Sequence, residues 1–279
     1  MSFKDILVFL EDSDASAWRL DVALGLAERF QGHLTGLAVA EVANIPDFLP
    51  GELVRRQQEA ARGRNARIRE RFERRMAGAA VGHGWREVDK TQARQSVTDV
   101  VGLHGHYCDL VVVGQVDRST MDGTLPADFP GQLALLTGTP VLATPYAWTP
   151  TPVGRRVMVA WNASREAARA VNDALPLLRE AQQVKVLALT GEGGIGPHGD
   201  LPGADLAAHL AHHGVAVEAE HSVVRDMDVG SALLSAAADF GADLLVMGAY
   251  GRARMRELVL GGVSREILRA MTLPVLMSH

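Results

Sequence analysis

The chain repeats itself. The run Asp5-Ile-Leu-Val-Phe-Leu-Glu-Asp-Ser13 corresponds to Arg156-Val-Met-Val-Ala-Trp-Asn-Ala-Ser164 at an offset of 151 residues, and each run leads into an apolar, alanine-rich helical pattern. Farther on, Cys108-Asp-Leu-Val-Val-Val-Gly114 matches Ala242-Asp-Leu-Leu-Val-Met-Gly248, and Thr139-Pro-Val-Leu142 matches Leu273-Pro-Val-Leu276, both at an offset of 134. A duplication of this extent reads a 279-residue chain as two similar domains rather than one large one. The fall from 151 to 134 gives the first copy 17 extra residues between its first strand and its Asp-Leu-Val strand, in the arginine-rich stretch around residues 44–83.

Each copy reads as strands alternating with helices. Short, nearly continuous apolar runs such as Ile6 to Leu10, Leu110 to Val113 and Leu244 to Met247 suit strands buried on both faces, as in parallel sheets covered by helices. In the second copy the pattern predicts strands near 156–161, 184–189, 215–222, 243–247 and 274–277, with helices near 165–181, 203–213, 229–240 and 262–271. The first copy repeats this with a longer second helix from about Glu52 to Ala80. The expected fold is α/β: two tandem doubly wound domains, each a five-stranded parallel sheet flanked by helices, at residues 1–146 and 155–279. The proline-rich segment Pro145 to Gly154 forms the linker.

Composition narrows the function classes. A net charge of -5 argues against a chain whose main task is holding DNA. One cysteine, Cys108, excludes an intramolecular disulfide framework and a thiolate zinc cage. Lys4, Asp5, Glu11 and Asp12 bracket an apolar run too short for the core of a secretory signal, and the uncharged stretch from Phe129 to Gly154 carries five prolines. A cytoplasmic location without a membrane span is expected.

In an open parallel sheet ligands bind beyond the carboxyl ends of the strands, near the switch in strand order. In the second copy, the fourth strand runs into Met247-Gly248-Ala-Tyr-Gly251, then nine residues, then Gly261-Gly262-Val263-Ser264. Gly248 and Gly251 permit close backbone approach to a ligand, and Gly261, Gly262 and Ser264 open a helix whose free amides attract phosphate. The same residues also suit a plain glycine turn and capped helix, and spacing alone leaves both open.

The strand ending in Gly-x-x-Gly, the nine-residue gap, the following Gly and small residue, the preceding Asp-Leu-Leu strand and the closing Pro-Val-Leu strand together resemble the universal stress protein family. The resemblance covers the chain as two tandem copies and is specific in the second. It implies a five-stranded parallel sheet and, as a ligand, ATP or a related adenine nucleotide, with or without Mg2+. It places Gly248, Gly251, Gly261, Val263 and Ser264 on the phosphate and ribose loop. Asn162 falls where an aspartate usually contacts the nucleoside, and Gly262 replaces the usual serine or threonine. The expected nucleotide-binding set is Trp161, Asn162, Ser164, Met247, Gly248, Gly251, Gly261, Gly262, Val263 and Ser264, without a catalytic residue or a dedicated metal site. Trp161 could stack on adenine or plug the sheet edge.

The first copy lacks the loop. Ala127, Asp128, Phe129 and Pro130 stand at the positions of Gly261 to Ser264, Asp117 stands at that of Gly251, and Asp122 lies between. Carboxylates beside a polyphosphate repel it, so no nucleotide is expected there, and the first half serves as a scaffold paired with the second as in a homodimer.

Other motifs read more plainly. Gly191-Glu-Gly193-Gly-Ile-Gly196 matches a dinucleotide pattern, but Pro197 and Pro202 prevent the helix that it needs. His209, His212 and His213, and the pair His104 and His106, have no acidic partner at metal-motif spacing. Residues 55–75 hold nine arginines and three glutamates, the pattern of a solvated helix face with Ile68, Phe72 and Met76 as its buried stripe, though an acidic partner or RNA would also suit it.

The sequence therefore supports an ATP-binding stress-response module with its site in the C-terminal half. Two alternatives stay open: a nucleotide-free interaction scaffold, and a slow ATPase in which Arg252 or Arg265 stabilises charge while no acidic metal ligand is evident near Gly251. Expected partners are the nucleotide, the other half as a pseudo-dimer, and a second copy of the chain.

Overall fold

A computed structural model of the chain describes residues 2–42, 50–90, 95–117, 125–148, 151–191, 202–225, 227–251 and 262–279. In the first half the elements are β1 (Asp5–Phe9), α1 (Asp14–Phe30), β2 (His33–Ala40), α2 (Gly51–Met76), β3 (His83–Asp89), α3 (Val97–Gly105), β4 (Leu110–Gly114), α4 (Phe129–Thr137) and β5 (Val141–Thr144). The second half repeats them as β6 (Arg156–Trp161), α5 (Arg165–Glu180), β7 (Gln183–Gly191), α6 (Ala204–His212), β8 (Val217–Val224), α7 (Val229–Phe240), β9 (Leu244–Gly248), α8 (Gly262–Ala270) and β10 (Val275–Ser278).

The ten strands form one sheet in the order β3-β2-β1-β4-β5-β10-β9-β6-β7-β8. Each half contributes five strands parallel to one another, as the apolar runs predict. The halves meet where β5 and β10 pair antiparallel, so the two sheets are continuous and mixed at the seam. The central strands β4 and β9 carry buried residues on both faces, and two apolar clusters lie on the two sides of the sheet, each drawing residues from both halves.

The repeat is visible in polar detail. Asp109 accepts backbone hydrogen bonds from Lys4 (2.7 Å) and Asp5 (3.0 Å), tying β4 to the start of β1. Asp243 does the same for Gly154 (2.7 Å), Arg155 and Arg156 at the start of β6. The aspartate of each Asp-Leu motif thus satisfies amides that begin the neighbouring strand. Likewise Ser13 and Ser164 cap α1 and α5, accepting from Ser16 N and Ala167 N.

α2 buries Ile68, Phe72 and Met76, with Ala61 and Asn65 on the same stripe. Several of its arginines pair with carboxylates: Arg67 and Arg71 with Asp12, Arg75 with Asp21, Arg62 with Asp89. The helix ends at Met76, short of Ala80, because Gly78 turns the chain with φ of 104°. Among the described residues no helix is long and apolar enough to cross a membrane.

Candidate functional site

Strand order reverses at β6 and β9 in the second half, and beyond their carboxyl ends lies a cavity of about 410 Å³. Nine of the ten sequence-predicted residues line it: Trp161, Asn162, Ser164, Met247, Gly248, Gly251, Gly262, Val263 and Ser264. The tenth, Gly261, lies outside the described residues, as do Arg252 and the glycines of the 193–196 motif.

The cavity has two characters. On the β7 side Leu187 and Leu189, two residues apart on one strand face, join Val229 and Leu233 of α7 in an apolar wall. On the β9 side the start of α5 and the start of α8 meet the glycine loop, so two helix amino termini face the same space. Their partial positive charge favours an anion there.

Local backbone geometry builds the polar end. Asn162 accepts from Ser164 N at 3.1 Å, and the intervening Ala163 has φ of 50°. On the facing loop Tyr250 has φ of 49°, and its amide donates to the buried Ser264 hydroxyl at 3.4 Å. Two non-glycine residues in the left-handed region therefore flank one cavity, a strain that surrounding contacts must hold. The Tyr250 hydroxyl reaches the other half, donating to Asp128 Oδ2 at 3.4 Å, and burial together with that carboxylate pushes the phenol's titration up.

Sequence reasoning missed Glu166. It sits in the first turn of α5, is 2% exposed and lines the cavity. A side chain on Gly251 would begin 3.9 Å from its Oε2. An acidic group near Gly251 is therefore present, where the sequence shows none. A glutamate in a helix's first turn ordinarily reads as a complement to the dipole, so only the fold reveals its inward position.

The corresponding place in the first half is filled. Gly114 is the repeat equivalent of Gly248, and the buried Arg19 guanidinium lies against it. Arg19 donates to the Phe9 carbonyl at 2.6 Å and to Glu11 Oε2 at 3.1 Å; Glu11 is the equivalent of Asn162. Asp128 faces the second half rather than a ligand site of its own, bonding Tyr250 and Gln132. Asp117 lies just past β4, and Asp122 is outside the described residues.

The histidines have structural neighbours. The rings of His209 and His213 stand edge to face at 4.7 Å, Arg179 reaches His213 Nδ1 at 3.0 Å, and His106 Nδ1 bonds the Thr137 carbonyl at 3.0 Å. Among the described residues no group of three or more His, Cys, Asp or Glu could hold a metal.

By sequence, residues 154–279 match the model of the universal stress protein family. In structure the whole chain is similar to a universal stress protein from Archaeoglobus fulgidus DSM 4304, with a TM-score of 0.73 and 14% identity over 99% of this chain and 97% of that one. It is also similar to a functionally unknown protein from Pseudomonas aeruginosa PAO1, with a TM-score of 0.61 and 14% identity over 99% of this chain and 92% of that one. At these identities the likeness is one of fold. Among curated proteins none matches.

Proposed function

Because residues 154–279 match the model of the universal stress protein family, we propose that the chain is a tandem member whose second half binds an adenine nucleotide, ATP or a close relative, as a nucleotide-responsive module. The observation that carries this reading is the two-ended cavity of about 410 Å³, within the size of small-molecule sites (roughly 300–1,000 Å³). Its apolar wall suits a flat base, with Trp161 at the rim, and its glycine loop and paired helix starts suit phosphates. Asn162 and Ser164 offer hydrogen bonds to the sugar between them.

The first half acts as a scaffold in this reading. Arg19 supplies a guanidinium that neutralises Glu11 in place and fills the space before Gly114, so a ligand there would have to displace a buried arginine from its half-exposed carboxylate partner. Asp128 and Gln115 instead support the second half: Gln115 Nε2 donates to the carbonyls of Leu268 and Arg269 at the end of α8. In this way the degenerate half holds Tyr250 and α8 around the proposed site.

The test is direct. Purified protein is denatured and the released small molecules are identified, and the nucleotide-free protein is titrated calorimetrically with ATP, ADP and AMP in the presence of Mg2+. Saturable heat at one site per chain is expected. No copurifying nucleotide, together with neither heat nor thermal stabilisation at millimolar ATP, would sink the proposal in favour of a nucleotide-free scaffold. Release of ADP over many turnovers would add a slow ATPase to the reading.

A further inference from the structure

We propose that Glu166 is a ligand for a divalent cation shared with the phosphates of the bound nucleotide, an inference that rests on the nucleotide reading of the cavity. The starting point is a buried carboxylate with little to answer it. Among the described residues Glu166 Oε1 has no hydrogen-bond partner. The Arg165 Nε lies 3.8 Å away, too far to donate, on a side chain that is mostly in solvent. Buried charge left in this state is costly and persists where a ligand completes it.

Position identifies the ligand. Glu166 belongs to α5, which packs on β9, and its Oε2 stands beside Gly251. The carboxylate is therefore on the Gly251 side of the cavity, at the end of β9, whereas the Leu187 and Leu189 wall is on β7, with β6 between the two strands. Two helix starts draw phosphate into that end, and a bare carboxylate there would repel it. A cation between carboxylate and phosphate removes the conflict. Mg2+ is commonly held by one or two carboxylates together with substrate phosphates, the remaining positions staying hydrated. Among the described residues no cluster of three or more ligands accompanies Glu166, so a single glutamate that shares the ion with phosphates fits better than an independent metal site.

The test compares wild type with Glu166→Gln by calorimetric titration of ATP in excess Mg2+ and in excess EDTA. Wild type should bind ATP at least about tenfold tighter with Mg2+, and E166Q should bind metal-free ATP more tightly than wild type does and keep no more than about a threefold preference for Mg2+. E166Q removes a buried charge whose Oε1 has no hydrogen-bond partner among the described residues, at nearly constant shape, so its ligand-free form should melt at or above the wild-type temperature. Glu166→Ala supplies a second variant with the same expected loss of metal preference. An unchanged Mg2+ preference in E166Q overturns the proposal, as does a wild type that binds ATP equally with and without metal. It also falls if wild type rejects 2′-deoxy-ATP and E166Q loses affinity equally in Mg2+ and EDTA, because the carboxylate would then read the ribose. Failure of the nucleotide reading looks different: neither protein, though folded by circular dichroism, gives heat with ATP in any condition, and the cation proposal falls with it.

Discussion

Gly248 and Gly251 stand three residues apart in one loop, yet a side chain meets different surroundings at each. A Cβ on Gly248 would lie 2.6 Å from Ala167 N and from the Glu166 carbonyl carbon, atoms of the α5 backbone that cannot step aside cheaply. Among the described residues a Cβ on Gly251 would meet nothing closer than Glu166 Oε2 at 3.9 Å, an ordinary contact. The first glycine therefore lets β9 end against the start of α5, and the second keeps room for a ligand. Gly248→Ala should cost about 1–3 kcal/mol of stability through overpacking, whereas Gly251→Ala should leave the melting temperature nearly unchanged. Gly251→Asp, the residue that the first half carries at this position, adds a carboxylate beside Glu166 and should weaken ATP binding by about 100-fold with little loss of fold. Thermal melts and ATP titrations of the three variants check this; a G251D protein that binds ATP like wild type would refute the role given to Gly251.

At the scale of elements, α7 carries Val229 and Leu233 to the apolar wall and depends on its cap. Asp228 Oδ1 accepts from Ser231 N at 2.9 Å, and the Ser231 hydrogen bonds, side chain first and then backbone, hold the Asp228 carboxyl below its ordinary value of 3.8. A carboxyl lowered on folding stabilises the fold above its unfolded value, and that contribution fades as pH falls through the folded one. Asp228→Ala should therefore melt below wild type at pH 7, and the gap should narrow as the pH is taken below about 4, where the wild-type cap is itself lost. Asp228→Ser, still a capping residue, should melt above the alanine variant at both pH values; a gap independent of pH would refute the account.

Elements of this kind differ in how well the chain announces them. β6 and α5 fall where the apolar run and Ser164 predict, because a strand buried on both faces and a serine cap are local signals. β8 begins at Val217 rather than 215: it is an edge strand of mostly exposed residues, and the apolar run Val215-Ala216-Val217 belongs largely to the connection that precedes it. At the site the glycine loop is legible because close approach requires glycine. Glu166 and Tyr250 are not, since their inward positions depend on how α5 packs on β9 and on a hydrogen bond from the other half.

Across the whole molecule the two halves meet about a pseudo-two-fold centred on equivalent residues. Leu276 pairs with Leu142, its repeat partner at an offset of 134, while Val275 faces Ala143 and Met277 faces Val141. Such self-complementary pairing is what an isologous dimer of one domain would use, so the seam is a dimer interface written into one chain. A fragment of residues 151–279 should consequently expose β10 as an unpaired apolar edge and self-associate through β10 of a second copy, because Val275, Leu276 and Met277 are all buried in the full chain. The fragment dimer should bind ATP more weakly than the full chain, since Tyr250 loses Asp128 and the α8 carbonyls lose Gln115. Sedimentation gives the oligomeric state and titration the affinity. A folded monomer with full affinity would show that the first half contributes neither to the edge nor to the site, whereas a dimer with reduced affinity would separate the two contributions: a second copy can replace β5, but its own Tyr250 loop cannot replace Asp128.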